Sequence, residues 1–463
     1  MKILVLSHRG DSLPLALRME QEGHEISFYM ACLKDSPRSY EGMLKSPLIT
    51  GGAWRGKLKW ADFVVFDCNT GMEEMRQVVW RLDIPAFNAC YPDGPITIAG
   101  KTFKPWDFLL ATEEERAWGH DLLEYLKIGK QMKREEFTDV AKASEFVAKN
   151  KGQYVVKIEG NADADSDATY LGITEDGEDV VKYLATYAER AGGDKVKKIE
   201  LEKKIKGIEI ACGGYFNGEK FVCVDVNFEH KKFLETPYSF LTGEMGTIIR
   251  LVRGHKLYDE TLAKMVPFLK SIDFRGNVDI NCIVNAEGLF PLEFTFGRFG
   301  YPAIYIEMEG HKKPWGEFLY ACATRKDIED PGSKESKWLI GVVIAGQGYP
   351  FYKDAGADKM NLMPVILGSG PEEKETMKHV QLCDICAVGP KKDIYTINAY
   401  VGCATAAGET IDDAQDKVYA MLPKIKVPNT YYRIDIGDRV INEMAELEDL
   451  GYGFAESEEE EKE

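Results

Sequence analysis

The sequence predicts an α/β protein of several structural units, the first of which is a doubly wound parallel sheet. Its 463 residues exceed what one compact core usually holds, so roughly two to four units are expected. Hydrophobic residues make up 44% and charged residues 29% of the chain, which is typical of a globular protein. From the first residue onward, patterns of buried strands alternate with helical patterns, and this order predicts a parallel sheet.

The N-terminal elements follow that alternation closely. We predict strands over residues 2–6, 25–29 and 63–66, a short fourth strand over 84–87, and a helix over 13–21. Strands separated by helices pair in parallel through right-handed crossovers. Ligands of such sheets bind beyond the carboxyl ends of the strands.

After residue 105 the pattern changes to mixed α and β elements. Antiparallel pairing is indicated by Asn217-Gly218, a hairpin signal between two strand patterns. The predicted elements are a helix over 113–126, strands over 154–158, 198–202, 208–216, 221–227 and 338–345, a polar loop over 161–168 and a charged connection over 325–337.

Charge and cysteine usage exclude several classes of protein. The formal net charge is -18, so broad attraction to nucleic acid is not expected. No stretch approaches the ~20 apolar residues of a membrane helix. Ten cysteines without a framework pattern indicate a reducing cytoplasm. Cys383 and Cys386 form a lone CxxC without a second pair of ligands, which favours two ordinary thiols over a zinc site.

Two carboxylates, Asp279 and Glu293, lie on two successive strand patterns. If these strands pair, both side chains can face one pocket, where their hard oxygens suit Mg²⁺ bound to nucleotide phosphates. Arg298 would add a planar fork for phosphate or carboxylate. The alternative is a pair of exposed strand carboxylates, each answering a nearby basic residue. Spacing alone favours that alternative.

Lys157 and the segment 199–209 form a second candidate region. Lys157 ends an apolar strand pattern and could reach a phosphate, and the segment could offer backbone groups to an adenine edge. Glu209 could accept from ribose hydroxyls. Lysines at strand ends are also commonly solvated, so each feature alone is a weak signal.

Five blocks together resemble one enzyme family. They resemble, in order, its DHKR, TGGMG, EFNxRFG, GVVxAxxGYP and YRxDIGxR motifs. The blocks are EHKK at 229–232, TGEMG at 242–246, EFTFGRFG at 293–300, GVVIAGQGYP at 341–350 and YRIDIGDR at 432–439. The chain thus resembles the ATP-grasp superfamily and, within it, the phosphoribosylamine–glycine ligase (glycinamide ribonucleotide synthetase) family.

The resemblance implies a domain order. It comprises an N-terminal doubly wound domain, a two-part α+β ATP-grasp domain, and a C-terminal α/β domain that packs back on the first, followed by an acidic tail. The implied ranges are 1–104, then 105–325 with parts 105–190 and 191–325, then 326–445, and 446–463 for the tail.

The resemblance also implies ATP and Mg²⁺ (or Mn²⁺) as cofactors. Lys157 matches a lysine on the α-phosphate side of ATP, and Arg116 stands where the family has another phosphate-side lysine. Glu202 and Ile205 match the adenine-edge segment. Glu209 matches the carboxylate on the ribose.

Metal and catalytic roles are implied in the same way. Glu293 matches the principal Mg²⁺ ligand, and Asp279 matches the first metal ligand of ATP-grasp enzymes. Thr295 replaces the usual asparagine, which predicts a weaker third ligand. Arg298 and Lys157 are the implied catalytic residues.

The substrate half departs further from the family. The glycine-rich phosphate lid is replaced by the acidic loop 161–168. The N-terminal GGREH and GPExPL blocks are replaced by segments that contain Gly10, Asp11 and Asp67. We predict that the amine acceptor binds between these loops and Arg298, unless the two acids merely cap helices. The block Thr242, Gly243, Glu244, Met245 and Gly246 completes the implied substrate site.

The implied activity is an ATP-dependent carboxylate–amine ligase. It would join glycine, or another amino acid, to a phosphoribosylamine-like amine through an acyl phosphate, in purine metabolism. One alternative is a divergent ligase that uses another nucleotide or amine in a modification pathway. The other is a non-catalytic nucleotide-binding relative. Expected partners are small molecules, and the expected assembly is a monomer or homodimer.

Overall fold

The computed structural model describes residues 1–34, 40–159, 168–191, 198–332, 337–350 and 360–454. The chain forms two compact units. The larger unit consists of Met1–Gly129, Glu209–Cys282 and Pro291–Glu463, and the smaller of Lys130–Ile208 and Ile283–Phe290. The domain boundaries drawn from the sequence stay predictions.

The N-terminal part of the larger unit contains the predicted parallel sheet, in the order β2-β1-β3-β4. The doubly wound start is therefore confirmed. Its elements are β1 (Lys2–Ser7), α1 (Leu13–Gln21), β2 (Glu25–Met30), α2 (Trp54–Leu58), β3 (Phe63–Phe66), α3 (Glu73–Arg81), β4 (Ala86–Phe87), β5 (Ala89–Cys90), β6 (Ile96–Ile98), β7 (Lys101–Phe103), α4 (Phe108–Glu114) and α5 (Arg116–Tyr125).

The single helix predicted over 113–126 is wrong. The chain forms α4 and α5 there, and the break falls at Glu115, whose backbone has φ -94° and ψ 75°. Two tertiary contacts accompany the break. Glu113 accepts hydrogen bonds from the distant Arg298, and Gly119 approaches Thr112 so closely that a Cβ would lie 2.7 Å from its carbonyl oxygen.

The smaller unit is a four-stranded antiparallel sheet, ordered β10-β9-β11-β8 and covered by two helices. Its apolar core includes Val147 of one helix and Leu184 of the other. The predicted acidic loop lies outside the described residues, except for Ala168. The elements are β8 (Arg134–Phe137), α6 (Val140–Lys149), β9 (Tyr154–Glu159), β10 (Ala168–Leu171), α7 (Glu178–Ala191) and β11 (Lys198–Lys203).

A ten-stranded sheet runs from the middle of the chain into the C-terminal region. Its main path is β16-β15-β12-β13-β14-β17-β21-β18, with β22 on β17 and β5 on β15. Its elements and their helices are β12 (Ile208–Phe216), β13 (Phe221–Glu229), β14 (Gly246–Leu251), α8 (Lys256–Glu260), α9 (Leu262–Ser271), β15 (Phe274–Asn285), β16 (Gly288–Phe296), α10 (Ala303–Gly310), α11 (Trp315–Ala323), β17 (Trp338–Gly346), α12 (Pro371–Thr376), β18 (Val380–Leu382), β21 (Tyr400–Gly408), α13 (Ile411–Met421), β22 (Thr430–Tyr431) and α14 (Asp438–Asp449), while β19 (Ile385–Val388) and β20 (Asp393–Thr396) form a separate pair.

The predicted hairpin at Asn217-Gly218 is confirmed, because β12 and β13 pair antiparallel on either side of it. Gly218 has φ +92°, a conformation that glycine adopts readily. The first residues of the predicted tail, 446–449, belong to α14, and residues 455–463 lie outside the described chain. All ten cysteines, including Cys383 and Cys386, are free thiols. No described helix has both the length and the apolar character needed to cross a membrane.

Candidate active site

Two carboxylates face each other across the backbone of Gly213. Strand β12 lies between β13, which carries Asp225, and β15, which carries Asp279. A Cβ on residue 213 would lie 2.3 Å from Asp225 Oδ2 and 2.9 Å from Asp279 Oδ2. Asn227 joins the pair, since its Nδ2 donates to Asp225 Oδ1 at 2.9 Å and to Asp279 Oδ2 at 2.8 Å. The missing side chain of Gly213 thus leaves room for carboxylate oxygens from both neighbours.

These residues line a small cavity in the larger unit, which we call the acid-lined cavity. Its volume is about 20 Å³, room for about one water-sized species. Among the predicted site residues, Asp279, Thr295 and Glu244 line it. Burial raises the pKa of Asp225 to about 6. Burial also raises the pKa of Asp279, and the charges of Asp225 and Glu229 raise it further.

Lys231 contacts both the carboxylate predicted to bind ribose and the carboxylate predicted to bind the metal. Its Nζ lies 3.0 Å from Glu209, 3.1 Å from Glu229 and 3.3 Å from Glu293. Burial alone would lower the pKa of Lys231, but the three carboxylates outweigh burial and raise it. Asn281 Nδ2 adds a hydrogen bond to Glu229 at 3.1 Å. The structure therefore brings Glu209 and Glu293 together on one cation, and Glu293 itself is exposed.

The segment Thr242–Gly246 lies beside His230 and Lys231. The amide and hydroxyl of Thr242 both donate to the Lys231 carbonyl, at 2.7 Å and 2.8 Å. Met245 and Gly246 pair with the backbone of His230. Glu244 is buried, and its Oε1 has no hydrogen-bond partner among the described residues. Burial, together with the charge of Glu229, raises the pKa of Glu244.

Arg298 is held by Glu113. Its Nε lies 2.8 Å from Glu113 Oε1 and 3.0 Å from Oε2, and Glu113 Oε1 also accepts from the Phe296 amide at 3.2 Å. Arg298 Nη1 donates to the Phe299 carbonyl at 3.0 Å. The guanidinium is therefore oriented by α4 before any substrate binds.

The N-terminal loops form a second acidic group. Gly10 has φ +97° and donates its amide to Ser7 Oγ at 2.7 Å. Asp67 accepts from the amide and hydroxyl of Ser12, at 3.2 Å and 2.7 Å. Asp67 is therefore anchored to Ser12, the residue that precedes α1, but it accepts no hydrogen bond from the first amides of that helix.

Asp11 lies in a different electrostatic position. Burial raises its pKa to about 7, with further contributions from the charges of Asp67 and Asp384 and opposition from Arg9 and Arg298. Burial likewise raises the pKa of Asp384, to about 6. The protonation of Asp11 therefore depends on charges of the N-terminal loops, on Arg298 and on a carboxylate of the C-terminal region.

In the smaller unit, Lys157 is only partly exposed and is paired with carboxylates. Its Nζ lies 2.8 Å from Glu202 Oε2 and 3.8 Å from Glu200 Oε1, and both glutamates are buried in β11. Ile205 follows β11 in a partly exposed connection. The predicted phosphate lysine and adenine-edge glutamate are therefore in contact. Arg116 is the first residue of α5.

Sequence reasoning missed several residues of this arrangement: Glu113, Gly213, Asp225, Asn227, Glu229, Lys231 and Asp384. Part of the signal was present. Asp225, Asn227 and Glu229 stand at alternate positions of one strand, which places them on one face. Lys231 lies in the EHKK block. Glu113 and Asp384 carry no comparable local signal.

The described residues contain no group of three or more His, Cys, Asp or Glu side chains arranged to hold a metal ion. Mg²⁺, however, usually keeps several waters and uses one or two carboxylates together with substrate phosphates. The oxygens of Asp225 and Asp279 around Gly213, with their raised pKa values, fit such a cation, because a positive charge between them would relieve their repulsion.

Two domain descriptions of one family match this chain. Residues 114–296 match the phosphoribosylglycinamide synthetase ATP-grasp (A) domain, and residues 339–439 match the C domain of the same synthetase. Most residues that line the acid-lined cavity, together with Lys231 and Glu293, lie within the first match, and the remaining lining residues follow it in sequence.

The proteins similar to this chain include phosphoribosylamine–glycine ligases from several bacteria. A phosphoribosylamine–glycine ligase of Listeria monocytogenes serotype 4b is 26% identical over 315 residues, 65% of this chain and 70% of the relative. One from Salmonella typhimurium is 25% identical over 367 residues, 76% and 82% of the two chains. The crystal structure of the Thermotoga maritima ligase matches with a TM-score of 0.63 at 17% identity, over 94% of this chain and 100% of that one. This structural likeness supports the fold.

Proposed function

Because the chain belongs to the phosphoribosylglycinamide synthetase family of ATP-grasp ligases, we propose that it joins glycine to phosphoribosylamine at the expense of ATP, in purine biosynthesis. The observation that carries the proposal is the acid-lined cavity around Gly213, most of whose lining residues belong to the matched ATP-grasp domain. The proposal includes small molecules as partners and a cytoplasmic location.

The reaction runs in two steps. An oxygen of the glycine carboxylate attacks the γ-phosphorus of ATP, the bond to the β-phosphate oxygen breaks, and ADP leaves. The amine nitrogen then attacks the carbonyl carbon of the acyl phosphate, phosphate leaves, and the nitrogen loses a proton to give the amide. Neither step needs a covalent bond to the protein, so positioning and charge stabilisation are the protein's contribution.

In the proposal, Arg298 and Lys157 provide part of this charge stabilisation. Arg298, oriented by Glu113, stabilises oxyanions of the reacting carboxylate. Lys157 offsets charge on the ATP phosphates and exchanges part of its contact with Glu202 for them. Lys231 holds Glu209 and Glu293 in place for the ribose and the metal, respectively.

Asp279 and Asp225 would hold Mg²⁺ beside Gly213, with Glu293 as a further ligand and Thr295 offering a neutral oxygen. The ion supplies neutralisation of the phosphate charge when bound. Asn227 donates a hydrogen bond to each of the two aspartates and so positions both. Gly213 keeps the space between the two aspartates open.

A second candidate function, ligation to a different amine, is favoured by one observation. Asp67 is buried, Asp11 and Asp384 are partly buried, and all three carboxyl groups have raised pKa values. Such a group disfavours a phosphate dianion and favours a cationic amine or sugar hydroxyls. In this candidate the ATP half of the site works as above, and only the acceptor differs.

One experiment separates the candidates. The purified protein is incubated with Mg²⁺, ATP and glycine, in one arm with phosphoribosylamine and in the other with amino sugars that lack a phosphate, and ADP and product mass are measured. A product with phosphoribosylamine supports the first function, and a product only with an unphosphorylated amine supports the second. Release of no ADP in either arm would overturn both and leave a non-catalytic relative.

A further inference from the structure

A second cavity lies in the larger unit and shares no lining residue with the acid-lined cavity. Its walls come from α1, Met43, the C-terminal end of α10, the segment that leads into β18, and β18 itself. Its volume is about 330 Å³, at the lower end of the roughly 300–1,000 Å³ found for small-molecule sites. The two cavities share only the helix α10.

Arg18, in the last turn of α1, lines this cavity and is partly buried. Within the described part of the chain its guanidinium makes no hydrogen bond or ion pair. Most half-buried arginines donate hydrogen bonds to a carboxylate or a carbonyl, because the guanidinium has five N–H donors. Arg18 therefore presents an uncompensated charge to the cavity.

Gln381 of β18 supplies a second polar group without a hydrogen-bond partner among the described residues. Its side chain is only 7% exposed, yet its amide makes no hydrogen bond to any described residue. The amide atoms are not fully buried, so solvent or a ligand in the cavity can reach them. Because Gln381 lines the same cavity, a ligand there could satisfy it.

The other charged groups at this cavity are already paired. His379 Nδ1 lies 2.8 Å from Glu309 Oε1, and Lys378 Nζ lies 2.6 Å from Glu375 Oε2. Met43, Met308 and Met377 supply apolar lining, and methionine side chains adapt readily to irregular ligands. The cavity thus combines one free cation among its described lining residues, one free amide and an adaptable apolar wall.

We propose that this cavity binds a small organic anion, whose carboxylate or phosphate oxygens contact Arg18 while its remaining polar group contacts Gln381 and its apolar part packs on the methionines. A guanidinium takes either oxyanion in a two-pronged hydrogen bond. The site is separate from the ligase site and does not depend on the activity proposed for it.

The test uses benzoate and phenyl phosphate, which share an apolar ring and differ in the oxyanion. The full chain is titrated by calorimetry with Mg²⁺ and a non-hydrolysable ATP analogue in excess, so that the nucleotide site is filled. We expect saturable binding of at least one probe with a Kd below about 1 mM. The preferred probe identifies the oxyanion, and neutral benzamide should bind more weakly than either.

Variants locate the binding. Arg18→Gln should weaken it about tenfold or more, and Gln381→Leu several-fold, whereas Arg81→Gln at the end of α3 should leave it unchanged. If Arg18→Gln does not fold, Arg18→Lys, which keeps the charge and loses the planar fork, should weaken binding to a smaller degree. Absence of saturable binding of both probes, or equal affinity in the Arg18 and Arg81 variants, would overturn the proposal.

Discussion

At the scale of single residues, Gly213 decides how close two carboxylates can come. Asp225 and Asp279 approach across its backbone, and their pKa values are raised by burial, with mutual repulsion adding to the shift of Asp279. Such an arrangement destabilises the folded protein unless a cation or hydrogen-bond donors offset it. Asn227 provides part of that compensation. The remaining demand for positive charge is the physical reason to place Mg²⁺ here.

Replacing Gly213 by alanine should impair both turnover and stability. The new Cβ would lie 2.3 Å from Asp225 Oδ2, and a carboxylate can rotate away more easily than a backbone can shift. We expect kcat/KM for Mg·ATP to fall about 10–100-fold and unfolding to become easier by about 1–3 kcal/mol. Gly56→Ala, where no atom lies within 4 Å of the added Cβ, is the matched control. Equal kinetics in the two variants would contradict the role of Gly213.

Glu293 tests the metal assignment. Its side chain is 56% exposed and contacts Lys231 at 3.3 Å, so Glu293→Ala should change stability by about 1 kcal/mol or less. As a metal ligand, its loss should lower ATP turnover about 100-fold or more. Steady-state ADP release and thermal denaturation measure the two effects, with Glu287→Ala at the neighbouring turn as control. Normal ADP release by folded Glu293→Ala would remove this residue from the metal site.

At the scale of elements, local patterns predicted the helices and strands whose bounds depend only on residues nearby in the sequence. The helix at residues 13–21 and the strand at 208–216 have the predicted bounds, because their apolar spacing alone defines the buried face. The helix predicted over 113–126 is interrupted at Glu115, close to Glu113, which binds Arg298, 185 residues away, a contact that no local pattern reveals. The motif blocks located Asp279 and Glu293, but Asp384 reaches the N-terminal loops only through the fold.

The contact between α10 and the segment before β18 should make stability depend on pH. The hydrogen bond to Glu309 raises the pKa of His379 above its ordinary 6.5, against the effect of burial and with help from the charges of Glu309 and Glu375. A raised folded-state pKa stabilises the protein below pH 6.5, and this contribution is lost as the pH rises through the folded-state value.

The wild type should therefore lose stability relative to His379→Gln as the pH rises above 6.5. The difference should be about 1 kcal/mol or less, because the side chain is about one-third exposed and solvent screens the pair. Urea denaturation at pH 5 to 9 measures it. Glu372→Gln, on the first turn of α12, should keep the wild-type profile. A difference between wild type and His379→Gln that is constant with pH would refute the assignment.

At the scale of the whole molecule, the C-terminal region is part of the same core as the ATP-grasp region. Strand β17 pairs with β14 on one side and β21 on the other, and all nine of its residues are buried. Arg439 donates to the carbonyls of Glu209 and Glu229 at 3.2 Å and 3.3 Å. The C-terminal residues thus support the backbone of the strands that carry the site.

A chain that ends at residue 332 should consequently fail to fold, although it retains every predicted site residue. It would lose the burial of five large aliphatic side chains on β17 alone, worth roughly 8–15 kcal/mol, which is comparable to the whole stability of a typical domain, about 5–15 kcal/mol. The chain 1–454, which lacks only residues 455–463, should fold and turn over ATP as the full chain does. Circular dichroism, thermal denaturation and ADP release compare the two. A cooperatively folded 1–332 chain that releases ADP would mean that the C-terminal region is a separable module, and that the continuous sheet is not needed to hold the strands of the site.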